Sequence, residues 1–180
     1  MLFDWANQPF YTLVITFVFG PYFATQFAPD AVAGQALWAD MQLYGALAVA
    51  GLSPLLGAIA DEAGPRKPWI GVFSVLFILG CLGLWQAAPG AALWPVMLAF
   101  VIAFAASEFS LVFVNAMLPD LGPRSEIGRI SGSGWALGYV GGVVALLLVL
   151  ALLAPAGDGP TTLAGLEPLF GLDPAAGEPA

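Results

Sequence analysis

LWPVMLAFVIAFAASEFSLVFVNAM, residues 93–117, carries one formal charge, Glu108, in an otherwise apolar run. About 20 mostly apolar residues suffice for a helix to cross a hydrocarbon core roughly 30 Å thick, so this stretch is read as a membrane span. Working outward, four more runs meet the same length: 9–27, 36–59, 68–88 and 130–154. Turn-forming clusters separate the five, at Ala28-Pro29-Asp30, at 61–65, at Ala88-Pro89-Gly90 and at 119–123. The expected fold is an all-α membrane protein with about five transmembrane helices, a bundle over 1–154 followed by an exposed acidic, Pro/Gly-rich loop or tail over 155–180.

Composition agrees with lipid as the main solvent. The chain is 60% hydrophobic and 9% charged, more apolar surface than one soluble core of this size hides. A single cysteine, Cys81, and no histidine set the prior against disulfides, metal centres and cofactor sites. No nucleophile, metal or cofactor motif points to an enzyme. Phosphate backbones need clustered cations, and four basic residues in two loops do not make a nucleic-acid surface.

Those four, Arg66, Lys67, Arg124 and Arg129, fall in the second and fourth connections. With five spans, both connections lie on one side of the membrane. The positive-inside rule then puts the N-terminus in the cytoplasm and the C-terminal tail outside, in the inner membrane if the source is bacterial. The N-terminal residues carry Asp4 and no base, so the first apolar run is expected to be retained rather than cleaved as a signal. Trp38, Trp69, Trp85, Trp94 and Tyr22 stand near span ends, where they either sit at the headgroups or pack between helices.

The second connection has a composite character. Gly57 permits close helix approach, and Gly64 can end the helix with a positive φ. Asp61 lies at a helix C-terminus, whose partial negative charge makes a carboxylate want a positive partner. Arg66 and Lys67 follow. The plain reading is a polar turn with a basic flank. The sharper one comes from resemblance: Gly57, Asp61, Gly64, Arg66 and Lys67 are spaced as in the cytoplasmic signature loop of the major facilitator superfamily, with Pro65 where a basic residue is more usual. The resemblance implies that Asp61 gates by contacting a helix of the other half of a transporter.

Two further stretches resemble the vacuole-effluxer-like branch of that superfamily, linked to amino-acid efflux: Asp4-Trp5-Ala6-Asn7-Gln8-Pro9-Phe10, and the run from Asn115 through Pro119-Asp120 to Gly128-Arg129 and Gly134-Trp135-Ala136-Leu137-Gly138-Tyr139. Relatives in that branch have about twelve spans. The resemblance therefore implies that this chain is the N-terminal part of a longer transporter, an incomplete bundle expected to be inactive alone.

Three intramembrane features complete the list. Asp4, Gln8, Thr12 and Thr16 recur every fourth residue, a drifting polar stripe on the first span. It either lines a substrate cavity, or divides into headgroup contacts and threonine bonds to the helix's own backbone. Glu108 costs about 3 kcal/mol at mid-membrane unless protonated, paired or hydrated. It is either a cavity acid, with Asn115 two turns on along the same face, or a structural hydrogen-bonding group. Gly134, Gly138 and Gly142, with Gly141 beside them, form a smooth face for helix packing. The expected partners are lipid, a small solute such as an amino acid, and a second half-transporter or membrane subunit. The competing expectation is a non-transporting subunit that docks through the glycine face.

Overall fold

The structure, a computed structural model, describes residues 2–28, 30–62, 65–88, 90–155 and 160–169. Among these, the regular structure is helical, and the extended pairing is one isolated bridge between Pro155 and Thr162. Five helical stretches are long and apolar enough to span: Leu2–Phe27, Ala31–Ile59, Lys67–Leu84, Leu93–Ala116 and Ile127–Leu152. A helix satisfies its own backbone donors and acceptors, which hydrocarbon cannot do. The chain is an all-α membrane protein with five spans among the described residues.

The span boundaries shift from the expected ones for local reasons. The first span begins at Leu2 rather than residue 9 and runs straight through Pro9 as α1 (Leu2–Pro9), a π-helical segment (Phe10–Phe17), α2 (Phe19–Tyr22) and a second π-helical segment (Phe23–Phe27). The next helix, α3 (Ala31–Glu62), starts before residue 36 because Asp30 caps it: one carboxylate oxygen accepts from the Val32 N–H at 3.0 Å and the Ala33 N–H at 2.9 Å. The helix α4 (Lys67–Leu84) stops short of residue 88. Its last carbonyls are taken up by tightened turns, with Trp85 N–H on Leu82 and Ala87 N–H on Leu84. Then come α5 (Leu93–Ala116), a 3-10 turn (Leu118–Leu121) and α6 (Ile127–Leu152).

Packing divides the chain into two compact units. One comprises Met1–Gln35, Ala88–Gly90 and Gly132–Ala180; the other comprises Ala36–Ala87 and Ala91–Ser131. In the second unit α4 and α5 make the most extensive contact. Gly80 and Gly83 of α4 meet Ala103 and Ala99 of α5 so closely that a Cβ added at Gly80 would lie 2.7 Å from the Ala103 nitrogen, and one at Gly83 would lie 2.7 Å from the Ala99 Cβ. Neither residue pair figured among the sequence expectations. Toward the start of α4, Trp69 stacks on Phe113 at 5.6 Å, and Phe73 touches Phe109 and Phe113 at 5.4 and 5.8 Å. Trp38 of α3 packs on Phe100 at 4.6 Å. These two tryptophans pack between helices, whereas Trp85 and Trp94 are 81% and 69% exposed.

In the first unit the first span supplies a buried aromatic row, Phe19, Tyr22, Phe23 and Phe27. Of the expected tail, residues 156–159 and 170–180 lie outside the described residues. The described stretch 160–169 is mostly exposed, but Thr162 is buried and the Leu163 N–H donates to the Leu150 carbonyl of α6 at 3.0 Å.

The α4–α5 contact leaves no room for branching at Gly80. Gly80→Val should destabilise the detergent-solubilised protein by about 1–3 kcal/mol. Gly71→Ala, on the same helix with nothing within 4 Å of the added carbon, should leave it unchanged. Thermal unfolding followed by near-UV circular dichroism reads both.

Candidate functional site

Two groups of the sequence-singled residues lie in separate units and are described in turn. In the unit built on α4 and α5, the two connections that carry all four basic residues meet at one end. Arg66, just before α4, donates to an Asp120 carboxylate oxygen at 2.8 Å. Arg66 is largely shielded, at 23% side-chain exposure, against 67% for Asp120. Arg129 pairs with Glu126 one helical turn away at 2.9 Å. Helices joined in antiparallel sequence put alternate connections at the same end, so the Arg66–Asp120 pair is the spatial counterpart of the charge pattern along the chain.

Asp61 and Glu62 close α3 and are both exposed; among the described residues neither has an ion-pair partner. Arg66, five residues on, is committed to Asp120 instead. Gly57 lies one turn before Asp61 on the same face, and a Cβ added there would meet nothing within 4 Å. The close approach that glycine permits is not used at Gly57 by any described part of the chain. Gly64 lies outside the described residues. Lys67 is exposed at the start of α4.

On α5, Glu108 is half-buried between the buried Ser107 and Phe109, with Ser110 also buried. Eight residues separate it from the end of α5 at Ala116, about 12 Å at 1.5 Å per residue. Asn115 is exposed near that end. The two share a face by spacing, but they occupy different depths, so one bound solute does not bridge them without spanning about two turns.

The other unit brings together two features that the sequence kept apart. The polar stripe of the first span lies against the glycine face of α6. A Cβ at Gly138 would sit 3.2 Å from the Asp4 Cβ and backbone oxygen, and one at Gly142 would sit 3.1 Å from the Gln8 Cγ and run into the Thr12 hydroxyl. Gly141 faces Trp5 in the same way, with the Trp5 carbonyl 2.8 Å from the added carbon. Gly134, Gly138, Gly141 and Gly142 are all buried. Thr16 leaves this contact: it is exposed, and its hydroxyl donates to the Tyr11 carbonyl at 2.8 Å.

The π segment explains why the stripe stays straight for three of its four members. In an α-helix of 3.6 residues per turn, every fourth residue overshoots one turn. In a helix bonded five residues back, a turn holds more than four residues and every fourth residue undershoots. The two drifts have opposite sign, so Gln8 and Thr12 remain over one glycine. The contact of Trp5 with Gly141 and the burial of Asn7 were not among the sequence expectations, because spacing along the first span does not reveal that α6 lies opposite it.

Over 174 residues, 94% of the chain, the sequence is 27% identical to an uncharacterized MFS-type transporter, YxiO, of Bacillus subtilis (strain 168). It is also 32% identical over 105 residues, 57% of the chain, to an uncharacterized protein of Aquifex aeolicus (strain VF5). No family model and no solved structure matches. The chain spans about 40% of the length of the first relative and 26% of the second. The similarity to an MFS-type transporter extends along nearly the whole chain and supports a place among proteins of that type.

Two outcomes follow from this geometry. A double-mutant cycle on Arg66→Ala and Asp120→Ala, read by denaturant unfolding, should give a coupling of about 0.2–1 kcal/mol, as befits a pair with one solvated partner. Gly141→Leu should drive the first span off α6 and speed hydrogen exchange of residues 2–9, whereas Gly132→Ala, with open space around it, should not.

Proposed function

We propose that the chain contributes helices to a secondary-active transporter of the major facilitator type, moving small solutes such as amino acids by alternating access. The observation that carries the reading is the similarity to an MFS-type transporter along nearly the whole chain. Alternating access uses two sets of helices that rock about a central site. Five spans supply part of one set, so flux requires further helices, from more chain or from a second subunit.

Several residue placements support this reading. Asp61 and Gly57 form an unoccupied face at the end of α3, available to a helix of the opposing half; Arg66 and Lys67 follow it, the Arg66–Asp120 pair braces the start of α4, and Gly64, outside the described residues, keeps its proposed role by resemblance. Glu108 is the acid to test for solute or proton binding, with Asn115 nearer the membrane surface. The four basic residues favour a cytoplasmic N-terminus and an external tail, in a bacterial inner membrane. Amino-acid efflux rests on the Asp4–Phe10 and Asn115–Tyr139 resemblances.

The alternative, a non-transporting subunit docking through the glycine face of α6, loses its surface. Gly138, Gly141 and Gly142 are already filled by the chain's own first span.

Proteoliposomes containing the purified chain alone should take up none of a labelled amino-acid mixture. The assembly extracted from native membrane should have a mass above the 18.6 kDa of the chain and should transport, with Asp61→Asn and Glu108→Gln each lowering the rate. Uptake by the chain alone would overturn the requirement for further helices, and a native assembly with no flux for any solute tested would overturn the transporter reading.

A further inference from the structure

The first span alternates between two hydrogen-bonding registers. Its π segments occupy Phe10–Phe17 and Phe23–Phe27, where the Val18 N–H reaches back to Leu13 at 2.9 Å and the Ala28 N–H reaches back to Phe23 at 3.0 Å. Runs of this register are rare, because α geometry is the better one for most sequences, and short π insertions concentrate where helices move or bind. Three local features favour it here. Pro9, the last residue of α1, offers no N–H and so denies the Trp5 carbonyl its α-helical donor. The Thr16 hydroxyl adds a bond to the carbonyl five residues back, Tyr11. At Val18, between the segments, the backbone stays in the right-handed helical region but is pulled from ideal values to φ −117°, ψ −71°.

The two ends of the span are held differently. The C-terminal part is anchored by its buried aromatic row, and Gly34 of α3 sits directly on Ala24 and Ala28. The N-terminal part rests on Gly138, Gly141 and Gly142, a track with no side chains to interlock. Conversion of the Phe10–Phe17 segment to α register would keep a carbonyl partner for every N–H it shifts, yet each of its eight residues would wind about 100° instead of roughly 80°, turning everything N-terminal to it by about 140° around the helix axis.

We propose that the first span is a register switch: conversion of Phe10–Phe17 between π and α helix rotates Asp4 and Gln8 onto and off the glycine face of α6. In the π form these polar side chains are docked and withheld. In the α form they turn away from α6, and a different face of α1, the one bearing Ala6, meets the glycines. Placing this rotation in a transport cycle rests on the transporter reading above; the rotation itself does not.

The test uses thiol labelling of the full chain in nanodiscs, in a Cys81→Ser background. Gln8→Cys reports the docked face and Ala6→Cys the exposed one. Pro9→Ala restores the missing donor and biases the segment to α register. If the α form is a minor state of about 10% or less, labelling at position 8 should rise by about tenfold while labelling at position 6 falls. Thr16→Val, which removes only the hydroxyl bond to Tyr11, should move both sites in the same directions by less. No change at either site with both variants would overturn the proposal, and so would a rise at both sites together, which means loosening rather than rotation. Labelling requires no flux, so reciprocal changes in a protein that transports nothing would uphold the switch and sink only the transporter reading.

Discussion

Inside hydrocarbon, one helix gains little by burying apolar surface against another, because lipid tails are as apolar as leucine; association depends on how closely two backbones come together. That constraint organises both units. In one, Gly80 and Gly83 let α4 settle on Ala99 and Ala103 of α5, and nearer the start of α4 the Trp69, Phe73, Phe109 and Phe113 rings carry the contact. In the other, Gly138, Gly141 and Gly142 let the first span lie directly on α6, so that Asp4, Gln8 and Thr12 meet backbone rather than lipid. A polar side chain in a span needs protein or water beside it. Close approach at glycine therefore settles two problems at the same contact: dispersion between the helices and shelter for the polar stripe.

The parts of the fold set by length and hydropathy were legible in the sequence. Five spans were expected and five are present among the described residues, since about 20 apolar residues leave a chain few alternatives in a bilayer. The ends were less legible, because local hydrogen bonding decides them. Asp30 looked like a turn residue and is the N-cap of α3. Pro9 looked like a start and lies inside the helix, where the wider π turns follow it.

At the candidate site, the limit of the sequence was pairing. The polar stripe and the glycine face were each visible from periodicity, but spacing along one helix says nothing about which other helix it meets. The Arg66–Asp120 pair was hidden in the same way: both residues were part of motifs read as separate loops, and their partner choice is set by the antiparallel packing of α4 and α5. The Gly80–Ala103 contact escaped because one glycine in an apolar span has the same local pattern whether it faces lipid or another backbone, as Gly71 on the same helix shows.

Glycines in this chain consequently divide by what stands opposite them, and that division bears on function more than their number does. Gly138, Gly141 and Gly142 are spent on contacts internal to their unit. Gly57 is open, and so is the carboxylate of Asp61 one turn later. An acid at a helix C-terminus is held against an unfavourable local field, and no described cation relieves it. A helix that approached Gly57 with its positive N-terminal end toward Asp61 would gain close packing and charge complementarity together. Arg66, five residues on, pairs with Asp120 instead, so the open face at Gly57 and Asp61 carries its charge unpaired among the described residues.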